Sequence, residues 1–365
     1  MLRRLIAGHD SLAAQMARIS FRSTTVADES AITALLQQAH GAAYAHPMFE
    51  RRHLYWKYWE PLEGWHGSRS YVLTRNSEII AHAAVVPAVC SSRTDRLKLL
   101  HVIDWAARAD RRGAGNTLMQ HIGTLADAIV TSDGGDAALR LLPFMGFTQS
   151  NTVVTTYARP VRPLLYLDGG ERPRWRLVAR CIRNTIWALR ARSGTSGAWR
   201  ARAVPTAQVA TASIPWPAAK HGTAILERSA GVMSYWLQCP AAPMELYALE
   251  NGAATEGYFV LAFAPGQARL ADCWLDSEAP AAWEALVHLA VRQATRHAQV
   301  AEVAAICSEP LLAGALERCG FHARAARPLF VRAAHGIRFP ATAIRIQMLD
   351  DDTAYRHSGS RLLWA

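Results

Sequence analysis

The sequence lacks the marks of several common protein classes. Its six cysteines, Cys90, Cys181, Cys239, Cys273, Cys307 and Cys319, are scattered, with no C-x-x-C pair and no histidine cluster beside them. Neither a zinc site nor a disulfide framework is expected, and the thiols read as reduced core residues. No uninterrupted apolar window of about eighteen residues occurs, so a spanning helix is not expected. The opening Met1-Leu-Arg-Arg-Leu-Ile-Ala-Gly-His-Asp10 has charge but neither the apolar run nor the cleavage pattern of a secretory signal, and the expected location is cytoplasmic. G-x-x-x-x-G-K-[ST], H-E-x-x-H and G-x-S-x-G are all missing, which removes the usual support for an NTPase, a zinc protease or a serine hydrolase.

What is present suits a folded chain. Of 365 residues 51% are hydrophobic and 19% charged, with 12 Trp, enough core for two domains of ordinary size. The net charge of +11 is unevenly spread: from Arg162 to Arg202 there are ten arginines against two acids, Asp168 and Glu171. Interleaved Trp175, Leu177, Val178, Ile182, Ile186, Trp187 and Leu189 predict an amphipathic helix ending near Ser193-Gly-Thr-Ser-Gly197. The simpler reading is a linker helix packing its apolar stripe on a neighbouring domain. The alternative is contact with an anionic membrane surface, through 172–192, or with RNA; nucleic acid is the less expected partner.

The most informative stretch is Trp105-Ala-Ala-Arg-Ala-Asp-Arg-Arg-Gly-Ala-Gly-Asn-Thr-Leu-Met119, an apolar strand running into a basic, glycine-punctuated turn that opens a helix. The first amides of a helix lack intrahelical partners and sit at the positive end of its dipole, so anions settle there. Gly113 and Gly115 allow close backbone approach, Ala114 is small, Arg111 and Arg112 add charge, and Asn116 or Thr117 can cap the helix. Around this turn, periodicity predicts strands at 17–24, 71–74, 79–86, 97–105, 128–131 and 152–158. Helices are predicted at 28–38, with Ala31, Leu35 and Leu36 inward, near 49–58, after the glycine turn with Leu118, Ile122 and Leu125 inward, and at 137–144, following a turn at 133–135.

Three segments together resemble the GNAT superfamily of acyl-coenzyme A-dependent N-acyltransferases. Val102-Ile-Asp-Trp-Ala-Ala-Arg-Ala-Asp-Arg-Arg-Gly-Ala-Gly115 is similar to that family's phosphate-binding segment, Leu141-Leu-Pro-Phe-Met-Gly-Phe147 to its helix and Gly-Phe pair, and Trp56-Lys-Tyr58 with Tyr157-Ala-Arg-Pro-Val-Arg-Pro163 to a bacterial, partly tandem subgroup. Two positions depart from the family pattern: Asp110 stands where a basic residue is usual, and Leu142 where many members carry a general-acid tyrosine.

The frame recurs. Tyr235-Trp236 resembles Tyr55-Trp56, Leu246-Tyr-Ala-Leu249 the strand at Tyr71, Ala271-Asp272 Ile103-Asp104, and Cys319-Gly-Phe321 Met145-Gly-Phe147, at similar offsets and in one order. The second copy has no G-x-G; its strand is followed by Leu275-Asp-Ser-Glu-Ala-Pro280. The expectation is an α/β chain of two GNAT-like domains, each a mixed, mostly antiparallel twisted sheet flanked by helices: 18–163 binding acyl-CoA, a basic linker 164–204, a degenerate second domain 205–350 and a tail 351–365.

The resemblance implies transfer of an acyl group, most simply acetyl, from acyl-CoA to an amine, with no metal. Residues Arg111, Arg112, Gly113, Ala114, Gly115, Asn116 and Thr117 would seat the diphosphate, and the backbone of Ile103 and Trp105 the thioester. An amine needs a base and the thioester oxygen a donor. Asp104 is the first candidate base, or else a structural strand-end carboxylate; His101 is the second. Tyr157 could replace the missing acid, and Trp56 and Tyr58, with Lys57, could line the acceptor side or simply be core. His53, His82 and His121 receive no role. An amino sugar is the leading acceptor by resemblance; alternatives are a Fem-like aminoacyl-tRNA-dependent transferase and a non-catalytic binding protein.

Overall fold

The computed structural model describes residues 19–41, 46–132, 136–167, 173–191, 196–219, 223–340, 343–357 and 363–365. The first half runs β1 (Ile19–Ser23), α1 (Glu29–His40), α2 (Arg51–Tyr58), β2 (Ser70–Arg75), β3 (Glu78–Ser91), β4 (Arg96–Ala107), α3 (Ala114–Ile122), β5 (Ala128–Thr131), α4 (Asp136–Leu141) and β6 (Thr148–Pro160). Next come α5 (Arg174–Arg190), β7 (Trp199–Val204), β8 (Thr223–Leu226), α6 (Ala230–Trp236), β9 (Met244–Asn251), β10 (Ala254–Ala264) and β11 (Gln267–Leu275). The chain ends with α7 (Pro280–Ala294), β12 (Glu302–Cys307), α8 (Pro310–Arg318), β13 (His322–Ala333) and β14 (Ala343–Arg345). Among the described residues no helix is long and apolar enough to cross a membrane.

Local chemistry explains most elements. The β2–β3 hairpin closes on Asn76 and Ser77, both at positive φ, which twists the turn to match its strands. On α1 the inward side is Ile32, Leu35 and Leu36, so Ile32 takes the place expected for Ala31; it buries more apolar surface. The expected turn at 133–135 lies outside the described residues.

Sequence analysis expects a sheet in each half; the structure joins them into one. The order is β1-β2-β3-β4-β5-β13-β6-β12-β11-β10-β9-β7. β6 pairs along 155–160 with β12, while β13 pairs with β5 of the first half, so each half takes its penultimate strand from the other. The two arrays, β1-β2-β3-β4-β5-β13-β6 and β7-β9-β10-β11-β12-β6-β13, are related by a local two-fold at the β6/β13 pair. β4–β5 and β11–β12 are the parallel pairs of the two arrays.

Two features position a site. Parallel pairing of β4 with β5 stops at His101↔Val130, although β4 runs on to Ala107, so the strands part there. Against β3, β4 also carries a bulge: Asp104 and Trp105 together face the single Ala83. α2 and α6 meet across the halves, Trp56 stacking on Tyr235 at 4.8 Å. The segment from 351, expected as a tail, lies between the halves, with Ala354 and Tyr355 fully buried.

Candidate active site

The strand that leads to the glycine turn holds its key residue in an unusual backbone state. Asp104 has φ +50, a left-handed conformation at a non-glycine position. It is held by His82, whose Nδ1 lies 3.0 Å from the Asp104 carbonyl and whose Nε2 lies 2.8 Å from the Ser70 hydroxyl. Burial pushes His82 down to about 4, so the ring is neutral; Nδ1–H donates to the carbonyl and Nε2 accepts from Ser70.

The bulge turns the Asp104 carboxylate towards α2, where Lys57 Nζ meets it at 2.6 Å and the Tyr58 hydroxyl donates to it at 2.7 Å. All three side chains are buried. Burial would raise the Asp104 carboxyl, but the Lys57 ammonium and the bonds from Lys57 and Tyr58 outweigh it and hold the group well below the usual carboxylate range. Lys57 also lies 3.6 Å from Asp352. Arg69 fixes the end of α2 by donating to the carbonyls of Trp56, Lys57 and Glu60 at 2.6, 3.1 and 2.6 Å, supplying partners that helix C-termini lack.

The basic turn follows. Gly113 is at φ +83 with open space where a Cβ would stand, and α3 starts at Ala114. At Gly115 a Cβ would come within 3.1 Å of Trp105 Nε1, so this glycine lets the Trp105 indole lie on the first turn of α3. Asp110, the departure from the family pattern, is taken up by Arg108 at 3.0 Å and Arg111 at 3.6 Å. Arg112 pairs with no carboxylate among the described residues. Two buried donors there, Trp105 Nε1 and Arg111 Nε, have no protein partner; with the first amides of α3, they fit an anionic, oxygen-rich group such as the coenzyme A diphosphate.

The other expected site residues are dispersed. Ile103 lines a narrow gap with Lys57, Tyr235, Trp236 and Tyr355. Trp56 is core: its Nε1 donates to the Tyr235 carbonyl at 3.1 Å and its ring packs against Trp236 and Tyr355. Tyr157 is not beside Asp104. The strand exchange carries it into the second half's core, its hydroxyl 3.4 Å from Glu317 of α8. Leu142 is buried apolar core. His101 is buried on β4, three residues before Asp104.

Sequence reasoning missed His40. The last residue of α1, it meets the Trp105 backbone at the bulge; burial lowers its pKa below the ordinary imidazole value, with the nearby Asp104 and Asp352 carboxylates opposing. Nothing in its local sequence marks it, because the β4 bulge alone brings them together. A cavity of about 380 Å³ opens between the halves, walled by Trp65, Trp236, Val232, Leu349, Arg228 and Asp350 among others. It shares Leu62, Val86, Pro87 and Trp236 with the gap that reaches Ile103 and Lys57.

In the second half the corresponding place is filled. β11–β12 pairing stops at Leu270↔Ala305, but beyond it the Gln347 amide binds both backbone groups of Cys273, at 2.9 and 3.0 Å, and Arg345 also donates to the Cys273 carbonyl. α7 begins with Pro280 after Asp276 and Glu278, with no glycine turn and the wrong charge for an anion.

No protein-family model and no curated protein sequence matches the chain. Its architecture is similar to that of a GCN5-related N-acetyltransferase from Anabaena variabilis, with 12% identity, 87% of this chain and 73% of that one covered, and TM-score 0.53. It is also similar to a tandem GNAT protein from the clavulanic acid biosynthesis pathway (13%, 88% and 100%, 0.52) and to Saccharomyces cerevisiae N-myristoyltransferase (12%, 94% and 87%, 0.54). The chain has the fold of the GNAT acyltransferases, built as two halves that exchange a strand.

Proposed function

We propose that the protein is an acyl-CoA-dependent N-acyltransferase whose single coenzyme site lies in the first half. The observation that carries this is the convergence, at the end of β4, of the strand parting at His101, the bulge at Asp104 and the basic turn at Arg111–Thr117 with its unpartnered donors. Bound there, acyl-CoA supplies an activated thioester. The chain's own groups do the rest. The amides of α3 with Arg111 and Arg112 hold the diphosphate, and the backbone of Ile103 and Trp105 orients the acyl end. His40, an imidazole kept neutral near pH 7 beside the bulge, takes the proton from the amine, directly or through one water.

Asp104 is a positioning residue in this scheme: a carboxylate committed to Lys57 is a weak base. The acceptor enters through the inter-half cavity, whose Trp65 and Trp236 rings suit a sugar-sized amine, with an amino sugar the first acceptor to try. Six unbridged thiols accord with a cytoplasmic location.

Calorimetry with acetyl-CoA tests the coenzyme reading; absence of heat at millimolar ligand overturns it. Free-thiol release with a panel of amino sugars tests transfer. His40→Gln is expected to lower turnover about 10²-fold while leaving acetyl-CoA affinity unchanged, with activity in the parent protein rising as His40 deprotonates below pH 6.5. A second reading, a coenzyme-binding protein without turnover, is favoured by the engagement of Asp104 and by Leu142; it predicts binding with no thiol release on any amine.

A further inference from the structure

Helix α5 has two apolar faces. The inner one buries Leu177 and Cys181 together with Asn184. On the outer one Trp175, Val178, Ile182, Ile186 and Leu189 follow one another at helical spacing, within an arc of about 80°. They remain 67, 49, 57, 41 and 82% exposed. The 17 residues of α5 include five arginines and no acid. Arg174 and Arg190 border the stripe and Arg176 stacks on Trp175 at 5.1 Å; none of the three pairs with a carboxylate among the described residues. Arg180 is turned inward to the carbonyls of Leu363 and Ala365. The 3-10 turn Pro163–Tyr166 packs on the helix and leaves Leu164 exposed as well. Isolated surface leucines need no explanation, but an aligned row over four turns does.

We propose that α5 docks the protein on an anionic lipid bilayer, lying in the interface plane with the Trp175–Leu189 stripe among the acyl chains and its arginines on lipid phosphates. Charge selects this occupant. A second copy packed on the stripe would set arginine rows against each other, and a nucleic acid would satisfy the guanidinium groups while leaving the aliphatic row in water. An anionic bilayer satisfies both at once.

The test is co-sedimentation of the full chain with vesicles of phosphatidylcholine alone or mixed with phosphatidylglycerol. Partitioning about tenfold or more stronger onto the mixed vesicles is expected, weakening with salt. Ile182→Asp with Ile186→Asp should abolish it, and Arg174→Gln with Arg176→Gln and Arg190→Gln should remove the preference for the anionic lipid. Both sets of residues are exposed, so unchanged melting temperatures verify folding. Independently, Trp175→Phe should remove most of the vesicle-induced blue shift in tryptophan fluorescence. No binding to either vesicle, binding unchanged in the aspartate double variant, or a concentration-dependent dimer dissolved by that variant would overturn the proposal. So would RNA binding that is lost in the arginine variant while vesicles are ignored.

Discussion

Asp104 and Asp272 occupy matching places in the two halves, and each is built into a buried ionic cluster from different parts. Around Asp104 stand Lys57, Tyr58 and Asp352. Around Asp272 stand Arg228 at 2.9 Å, the Tyr258 hydroxyl at 2.8 Å and Asp350, which Arg228 meets at 2.5 Å. Tyr258 lies on β10 where His82 lies on β3, so the phenol comes from the sheet in one half and from a helix in the other. The segment carrying Asp350 and Asp352 serves both. What differs is the strand parting beyond each bulge: a coenzyme-sized basic turn follows in the first half, while Gln347 and Arg345 occupy the second. A duplicated fold keeps its buried charge frame, because removing one member strands its partner in low dielectric, and is freer to lose the ligand site, which contributes little to folding.

The largest expected effect breaks the frame. Asp104→Asn and Asp272→Asn should each cost about 3–5 kcal/mol in urea unfolding, by leaving a buried cation undercompensated. The Asp104 contribution also has a pH sign. Its folded pKa is depressed, so its stability is present above the ordinary carboxylate pKa and lost as pH falls through the folded value. If either variant unfolds like the parent, that cluster is not part of the frame.

Next in size is the filled cleft. Gln347→Ala removes two bonds to the Cys273 backbone and should cost about 1–3 kcal/mol without creating a second acetyl-CoA site, since α7 still lacks the turn. Two binding events in calorimetry would show that Gln347 alone had closed it. Arg111→Gln with Arg112→Gln should then weaken acetyl-CoA about tenfold, whereas Asp276→Asn with Glu278→Gln at the equivalent place should change nothing.

The smallest effect reads the shared segment. Burial and the neighbouring Asp352 push Asp351 up to about 7. The folded state therefore holds a proton the unfolded chain has released, and stability falls as pH rises from about 4 to 7, by about 1 kcal/mol per unit. Asp351→Asn should flatten that decline; an unchanged pH profile would place the titration elsewhere.

Much of this could be read along the chain. The Asn76-Ser77 turn, the four apolar residues of β5, the glycine turn and the matching Asp104 and Asp272 frames are local, because hydrophobic period and turn chemistry act over a few residues. Helix α5 was legible as amphipathic for the same reason. The partners of Asp104 were half visible: Lys57 and Tyr58 stood out, but as acceptor-side residues rather than its ion pair. Tyr157 is the instructive case. Its position on a strand after the Gly-Phe pair was read correctly, yet its chemistry depended on which strand lay beside it, and exchange of β6 and β13 put it in the other half's core.

The sequence by itself determined the elements, the fold class and the place of the basic turn, since each follows from contacts within a dozen or so residues. Only the tertiary structure decided the strand exchange, the left-handed bulge that aims Asp104 at Lys57, the arrival of His40 at Trp105 and the filling of the second cleft by Gln347. All of these join residues tens to hundreds of positions apart, where pairing energy, burial and the cost of an unpaired charge settle which neighbours meet.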